Sequence, residues 1–257
     1  MTAMTPAAVC APDSSGSTVT AVPTPRGFVA LSSLSTGDLV FGSDGHPTAV
    51  CGTAESSTGT AIEFGFSDGA TTLADAEQLW LAFDAATATE DYYRSIDIAT
   101  NLAMPDGTAR WAVRTAGPVA YPDTGPTTAD PLTFGQALRN GLVESESELL
   151  PYLLGAIQVR RAVLDGLHGV RRTLPASAPE MARDAYASLV RSLGGLPVVE
   201  PAGSGTHAAA RFGVRRGITA AAAVDRSAPG GLTVAATDGL YLTGGDYVLS
   251  CGSWGRP

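Results

Sequence analysis

From Thr18 to about Pro118 short apolar runs are broken by turn residues, which is the pattern of a compact β module. Ser43-Asp44-Gly45 and Ser67-Asp68-Gly69 each set Asp-Gly between strand-like segments, the strongest short hairpin signal. The strands these turns connect are predicted over Thr48–Cys51, Ala61–Phe66 and Thr71–Ala74, and Gln78–Phe83 and Arg110–Arg114 continue the β character. A Pro-, Thr- and Gly-rich stretch from Tyr121 to Asp130 reads as a linker. Beyond it the spacing of apolar residues turns helical, over Leu132–Leu142, then over Gln158–Leu167 after a turn at Pro151, then over Ser177–Gly194 with Met181, Ala185, Leu189, Val190 and Leu193 on one face. Strand signals return from about Arg211, over Ile218–Val224, Leu232–Ala235 and Leu240–Leu249. The chain therefore reads as an all-β module split by an α-rich insertion.

Composition narrows the classes of function. At 257 residues and 44% hydrophobic content the chain can bury a real core. A net charge of −9 and a pI of 4.7 oppose the attraction that drives most nucleic-acid binding, so nucleic acid is not the expected partner. No apolar run approaches the roughly 20 residues of a membrane span, so no membrane association is expected. The start of the chain lacks the basic and apolar stretches of a secretory signal, and residues 1–17 read as a flexible leader. The expected location is the bacterial cytoplasm or a phage virion. Cys10, Cys51 and Cys251 are widely spaced, and His46, His168 and His207 lack paired-ligand spacing, so neither a metal nor another cofactor is expected.

The two ends carry the most specific segments. Near the start stand Val22-Pro-Thr-Pro-Arg-Gly-Phe28 and Leu34-Ser-Thr-Gly-Asp-Leu-Val-Phe-Gly-Ser-Asp-Gly-His46; near the finish stand Gly231-Leu-Thr-Val234 and Asp238-Gly-Leu-Tyr-Leu-Thr-Gly-Gly-Asp-Tyr-Val-Leu249. Between them lie Phe66-Ser-Asp-Gly69, Ala74-Asp-Ala-Glu-Gln-Leu-Trp80, Ser95–Leu102 and Val113-Arg-Thr-Ala-Gly-Pro118. In this order the segments resemble the blocks of an intein, the self-splicing Hint fold, of the kind that interrupts phage terminases and replicative helicases. The resemblance implies an α+β chain: a mostly-β Hint domain over 18–125 and 211–250, an α/β LAGLIDADG-like homing-endonuclease insertion over 126–210, and a tail over 251–257.

The same resemblance locates the reactive positions, and each can be tested against its chemistry. The first step needs a Cys or Ser about seven residues before the Val-Pro-Thr-Pro segment, which lands on Ser15; Cys10 sits several residues too early. The histidine that polarises the scissile amide is replaced by Gln78, which cannot move a proton near neutral pH. The terminal His-Asn pair falls on Cys251 and Gly252, or in another register on Ser250 before Cys251, and neither register offers an amide to cyclise. In the insert, the acidic residues that would end the two motif helices and hold a divalent metal are Asn140 and Arg171.

The framework thus survives while the reactive positions are lost. The expectation is a catalytically inactive, intein-derived structural or interaction protein with protein partners, such as phage structural proteins of the capsid, decoration or tail. Its expected contact residues are Tyr92, Tyr93, Trp111 and Trp254. Two alternatives remain at this stage. Self-cleavage would use Ser15, Cys10 or Cys251, and non-cleaving DNA binding would use the basic clusters Arg160, Arg161, Arg171, Arg172 and Arg211, Arg215, Arg216.

Overall fold

The Asp-Gly turns do what their chemistry dictates. β1 (Ala21–Thr24) and β2 (Gly27–Ala30) form a first hairpin, and β3 (Leu39–Phe41) and β4 (Pro47–Ala54) a second, whose turn is closed by the Asp44 carboxylate accepting the His46 amide at 2.8 Å. β5 (Ser57–Phe66) and β6 (Thr71–Asp75) flank the other Asp-Gly, followed by β7 (Leu79–Asp84), β8 (Thr89–Arg94), the short helix α1 (Ser95–Ala99) and β9 (Trp111–Arg114). The computed structural model describes residues 20–252 apart from 124, 126, 170–172, 176, 203 and 204.

Helices follow from capping as much as from periodicity. α2 (Pro131–Arg139) opens with Asp130 accepting the Thr133 amide at 3.0 Å and with proline at its first position, where no N–H is missed. α3 (Glu146–Leu153) is capped by Ser145 and contains Pro151. That proline is therefore not the turn the sequence predicts; it costs one helical bond close to an end that lies two residues on. α4 (Ile157–His168) runs close to the expected span. β10 (Leu174–Pro175) precedes α5 (Glu180–Ser192), and then β11 (Gly195–Ala202) and β12 (Gly205–Phe212) form a hairpin where the sequence reads mainly as helical insert. The long β13 (Arg215–Ala228), β14 (Gly231–Val234), β15 (Leu240–Thr243) and β16 (Val248–Cys251) complete the chain. The single strand expected over Leu240–Leu249 is instead a tight hairpin, turned at Gly244 and at Tyr247 with φ of 52°.

The fold is mixed α/β. A six-stranded antiparallel sheet, ordered β6-β5-β13-β9-β7-β8, carries an aromatic core in which Trp80 meets Phe64 edge-on at 5.3 Å, and Ile62, Ile98, Trp111 and Ile218 close around it. Beside it, β14-β4-β3 and the two end hairpins bury Val22, Phe28, Phe41, Leu242 and Tyr247. The helices α2 to α5 pack with the sheet β10-β12-β11 around a core of their own. Among the described residues, no helix is long and apolar enough to cross a membrane.

Buried arginines tie the helical layer to the strands. Arg160 of α4 is 0% exposed; its guanidinium donates to the carbonyls of Gly155 at 2.9 Å, Ser192 at 2.7 Å and Val119, and stands 5.3 Å from the Tyr121 ring. Tyr121 in turn hydrogen-bonds Tyr247 at 3.1 Å. Arg191 at the end of α5 reaches Asp68 in the β5–β6 turn at 2.9 Å and Asp246 in the β15–β16 turn at 2.5 Å. Arg216 of β13 joins the same pair, 3.2 Å from Asp68. Burial pulls the Arg216 guanidinium down to about 10, and it remains charged at neutral pH.

Arg160→Met keeps the aliphatic stem but takes a donor from three buried carbonyls, of which that of Ser192 keeps the Val119 N–H at 2.8 Å. We expect it to cost about 2–5 kcal/mol, read as a lower urea midpoint at unchanged slope. A midpoint equal to that of the parent chain would contradict this role.

Candidate functional site at the paired terminal blocks

The two end segments of the described chain are brought together by burial of β15, all four of whose residues are buried. Gly244 donates to the Ala21 carbonyl at 2.7 Å, Phe28 meets Tyr247 edge-on at 5.7 Å, and a bridge joins Gly42 to Tyr241. The Ser43 hydroxyl donates to Asp238 at 2.5 Å. Four segments separated by most of the chain length thus frame one site, and the end of β16 lies in it.

Gln78 enters this site from the turn before β7, where its amide N–H donates to the Asp75 carbonyl. Its side-chain Nε2 donates to the Ser250 hydroxyl at 2.8 Å, across 172 residues of sequence. Ser250 is buried and lies opposite Tyr241 in the β15–β16 register; the Tyr241 hydroxyl accepts the Leu232 N–H at 3.2 Å. The next residue, Cys251, lies opposite Leu240 with its thiol half-buried. Burial, and then the charge of Asp238, push that thiol above its ordinary value. Tyr92 is close enough that burial and the charges of Cys251, Asp238 and Asp91 raise its hydroxyl as well.

Gly252 closes the site by its backbone. Its N–H donates to the Gly239 carbonyl at 3.1 Å, and a Cβ built on it would lie 2.8 Å from the Leu232 carbonyl oxygen and 3.5 Å from the Thr233 Cα. The near contact is with main chain, which cannot swing aside. A side chain at this position therefore requires the strand end to move.

The chemistry available follows from these groups. A carboxamide neither accepts nor releases a proton near neutrality, so Gln78 can orient a hydroxyl but cannot relay a proton. The Ser250 hydroxyl is engaged by the Gln78 amide, which is no base. A thiol with a raised pKa holds a smaller thiolate fraction at neutral pH and is a slower nucleophile than an ordinary cysteine. Gly252 has no side chain to cyclise. Among the described residues, no group of three His, Cys, Asp or Glu is placed to hold a metal ion.

The remaining sequence-predicted positions lie elsewhere. Asn140 is the C-cap of α2, and α2 and α4 cross closely because Gly135 and Gly166 meet: a Cβ on Gly135 would lie 2.2 Å from the Val163 carbonyl, and one on Gly166 2.3 Å from that of Leu132. Ser15, Arg171 and Trp254 lie outside the described residues. Of the aromatic residues expected to meet a partner, Trp111 is only 3% exposed; its ring lies tilted against Tyr93 at 4.6 Å and donates to the Asn101 carbonyl, so it belongs to the core. Tyr92 and Tyr93 are half-buried. The basic clusters are divided by burial. Arg160 and Arg216 are interior, while Arg215 pairs with Glu90 at 3.5 Å and lies over Phe83. Sequence reasoning missed Ser250 as a partner of Gln78, and Asp238, Tyr92 and Tyr241 as neighbours; only strand register brings them together.

No family model matches the chain, and no curated protein matches it. Among solved structures it is similar to the MchDnaB-1 intein, at 16% identity with a TM-score of 0.41, covering 91% of this chain and 97% of that one. It is likewise similar to the Msm DnaB1 intein splicing domain bound with zinc, at 15% identity with a TM-score of 0.42, covering 91% and 96%. These are remote resemblances, and the site's chemistry rests on this chain's own residues.

Cys51 is exposed and Cys251 is half-buried with a raised thiol. Iodoacetamide at pH 8 should therefore label Cys51 about tenfold faster than Cys251, with the gap narrowing as pH rises past the ordinary thiol range and Cys251 ionises. Peptide-resolved mass spectrometry over time measures both rates. Equal rates at pH 8 would mean that Cys251 is an accessible, reactive thiol.

Proposed function

We propose that this chain is an intein-derived Hint scaffold that has lost its splicing and nuclease chemistry and serves as a structural or interaction protein. The observation that carries the reading is the 2.8 Å hydrogen bond between Gln78 and Ser250 at the junction of the terminal blocks. Where self-cleavage needs a proton relay facing a strained end, two neutral side chains satisfy each other, and the adjoining Gly252 has no room for an asparagine side chain. The loss is built into packing as well as into residue identity.

The setting we propose is a bacteriophage particle, as a capsid, decoration or tail component. What supports it is the resemblance of the terminal segments to inteins carried in phage genes, together with a framework whose turns, caps and cores are intact. A scaffold under no demand for stability would not retain a buried Arg160 with three carbonyl partners or the Arg191–Asp68–Asp246 network. For the insert, we read α2 and α4 as a pair of LAGLIDADG-like helices. The Gly135–Gly166 crossing supports this, while Asn140 removes one carboxylate such helices would need for a metal. Duplex DNA is not the partner this reading assigns, because two of the arginines that would contact it are interior.

Two measurements test the proposal. Freshly made protein should run as one species at 26.1 kDa by intact mass, and the double variant Gln78→His, Gly252→Asn should also stay uncleaved, because the added Cβ meets the Leu232 carbonyl. A smaller product from either chain would mean that self-processing survives. Purified virus particles should contain the intact chain at a fixed copy ratio through repeated density gradients; its loss on the first gradient would remove the particle assignment.

A further inference from the structure

The hairpin β11–β12 leaves one edge open beside a cleft of about 820 Å³. In the ladder, Val198 faces Ala209, Pro197 faces Ala210, Leu196 faces Arg211 and Gly195 faces Phe212. Opposed residues of an antiparallel pair alternate between exchanging both hydrogen bonds and pointing both groups away. Pro197 has no N–H, so its pair with Ala210 is of the second kind. Ala210 therefore directs its N–H and C=O to the far edge, and with a period of two so do Ala208 and Phe212. β10 covers that edge only at His207 and Ala208, through Pro175 and Leu174. Among the described residues, no strand pairs with Ala210 or Phe212 there.

The cleft meets this strand along its backbone. Ala209 and Ala210, whose side chains point to opposite faces, both line it, and Phe212 beside them is 53% exposed. At the strand rise of roughly 3.3 Å per residue, the stretch from Ala209 to Phe212 offers about 13 Å, enough for about four residues of an added strand.

Charge fixes the order of the occupant. Arg161 and Asp165 line the cleft one helical turn apart on α4. In an extended segment, side chains two residues apart share a face at about 6.6 Å, close to that spacing. α4 enters at the end of the cleft where Gly194 and Pro118 lie, since its Arg160 bonds the Ser192 and Val119 carbonyls there. A strand added antiparallel to β12, as β10 is, then passes Arg161 before Asp165.

Resting on the reading of the chain as an interaction protein, we infer that this edge takes up an extended peptide segment of a partner protein by strand addition. The segment carries apolar residues alternating with an acidic residue followed two positions later by a basic one.

The probe is the capped hexapeptide acetyl-Val-Glu-Val-Lys-Val-Thr-amide, with the order-swapped acetyl-Val-Lys-Val-Glu-Val-Thr-amide as its control, followed by amide NMR and hydrogen exchange on the full chain. In the free protein the Ala210 and Phe212 amides should exchange much faster than that of Ala208. The first peptide should shift them saturably and slow their exchange at least about tenfold, and the swapped peptide should bind about threefold more weakly or worse. Ala210→Pro removes the outward N–H and leaves the bonds to β11, so it should abolish binding with an unchanged circular dichroism spectrum.

Protection of both amides in the free chain would show the edge already filled and would overturn the inference. So would absence of shifts at millimolar peptide, shifts centred elsewhere, or equal binding of the two peptides. None of these outcomes bears on the intact-mass test, so the interaction reading and this site fail separately.

Discussion

One guanidinium holds the layers of this protein in register. Arg160 lies where the turn before α4, the end of α5 and the segment leading to Tyr121 converge, and each contributes a carbonyl to it. A buried charge is tolerable only when its donors are satisfied, so those three carbonyls cannot drift apart without exposing an unsolvated cation. Through the Tyr121 ring and its hydroxyl bond to Tyr247, the constraint continues into the β15–β16 hairpin. The same hairpin is gripped from the other side by Arg191 through Asp246. Helical and β parts are therefore mutually dependent, and the end of β16 is held where Ser250 meets Gln78.

Much of this architecture was legible in the chain because local chemistry and tertiary need agree. The two Asp-Gly turns, the alternation along β7 and the Asp130-Pro131 start of α2 each specify their element without outside help. The elements that were not legible owe their form to partners distant in sequence. β12 carries three consecutive alanines, and β11 carries Pro197 and Pro201, both poor strand signals; the hairpin forms because α5 buries one face of it and because the prolines fall at positions that need no N–H. The hairpin in Leu240–Cys251 does carry a turn signal in Gly244-Gly245-Asp246, but the turn also requires Tyr247 at positive φ, a conformation a bulky residue seldom announces. Tyr247 tolerates that strain because its ring is pinned by Phe28 and its hydroxyl by Tyr121.

The candidate site shows a sharper division. Which reactive side chains are absent could be read by comparing each position with the chemistry splicing would require of it. What the residues present do there could not, since a contact between residues 78 and 250 depends on the register of β16 against β15 and on how β16 packs beside β7. Nor does a glycine in sequence reveal whether it marks space or its absence. At Gly252 the strand end lies against the Leu232 carbonyl, so the glycine is a packing requirement. At the α2–α4 crossing the same residue type answers the same need, since Gly135 and Gly166 let two helix backbones touch.

Splicing sites must keep groups unsatisfied: a base without its proton, an amide held away from planarity, a nucleophile without a partner. Each such group costs stability, and once the reaction confers no advantage, substitutions that pair them are favoured by the fold itself. Gln78 and Ser250 are paired in this way, two neutral groups joined by a hydrogen bond that satisfies both. On the proposed reading, such pairing accounts for an ordered framework without reactive groups and needs no separate selection against cleavage. On that reading it also sets a direction of change, since regaining reactivity requires breaking a favourable pair before any benefit returns.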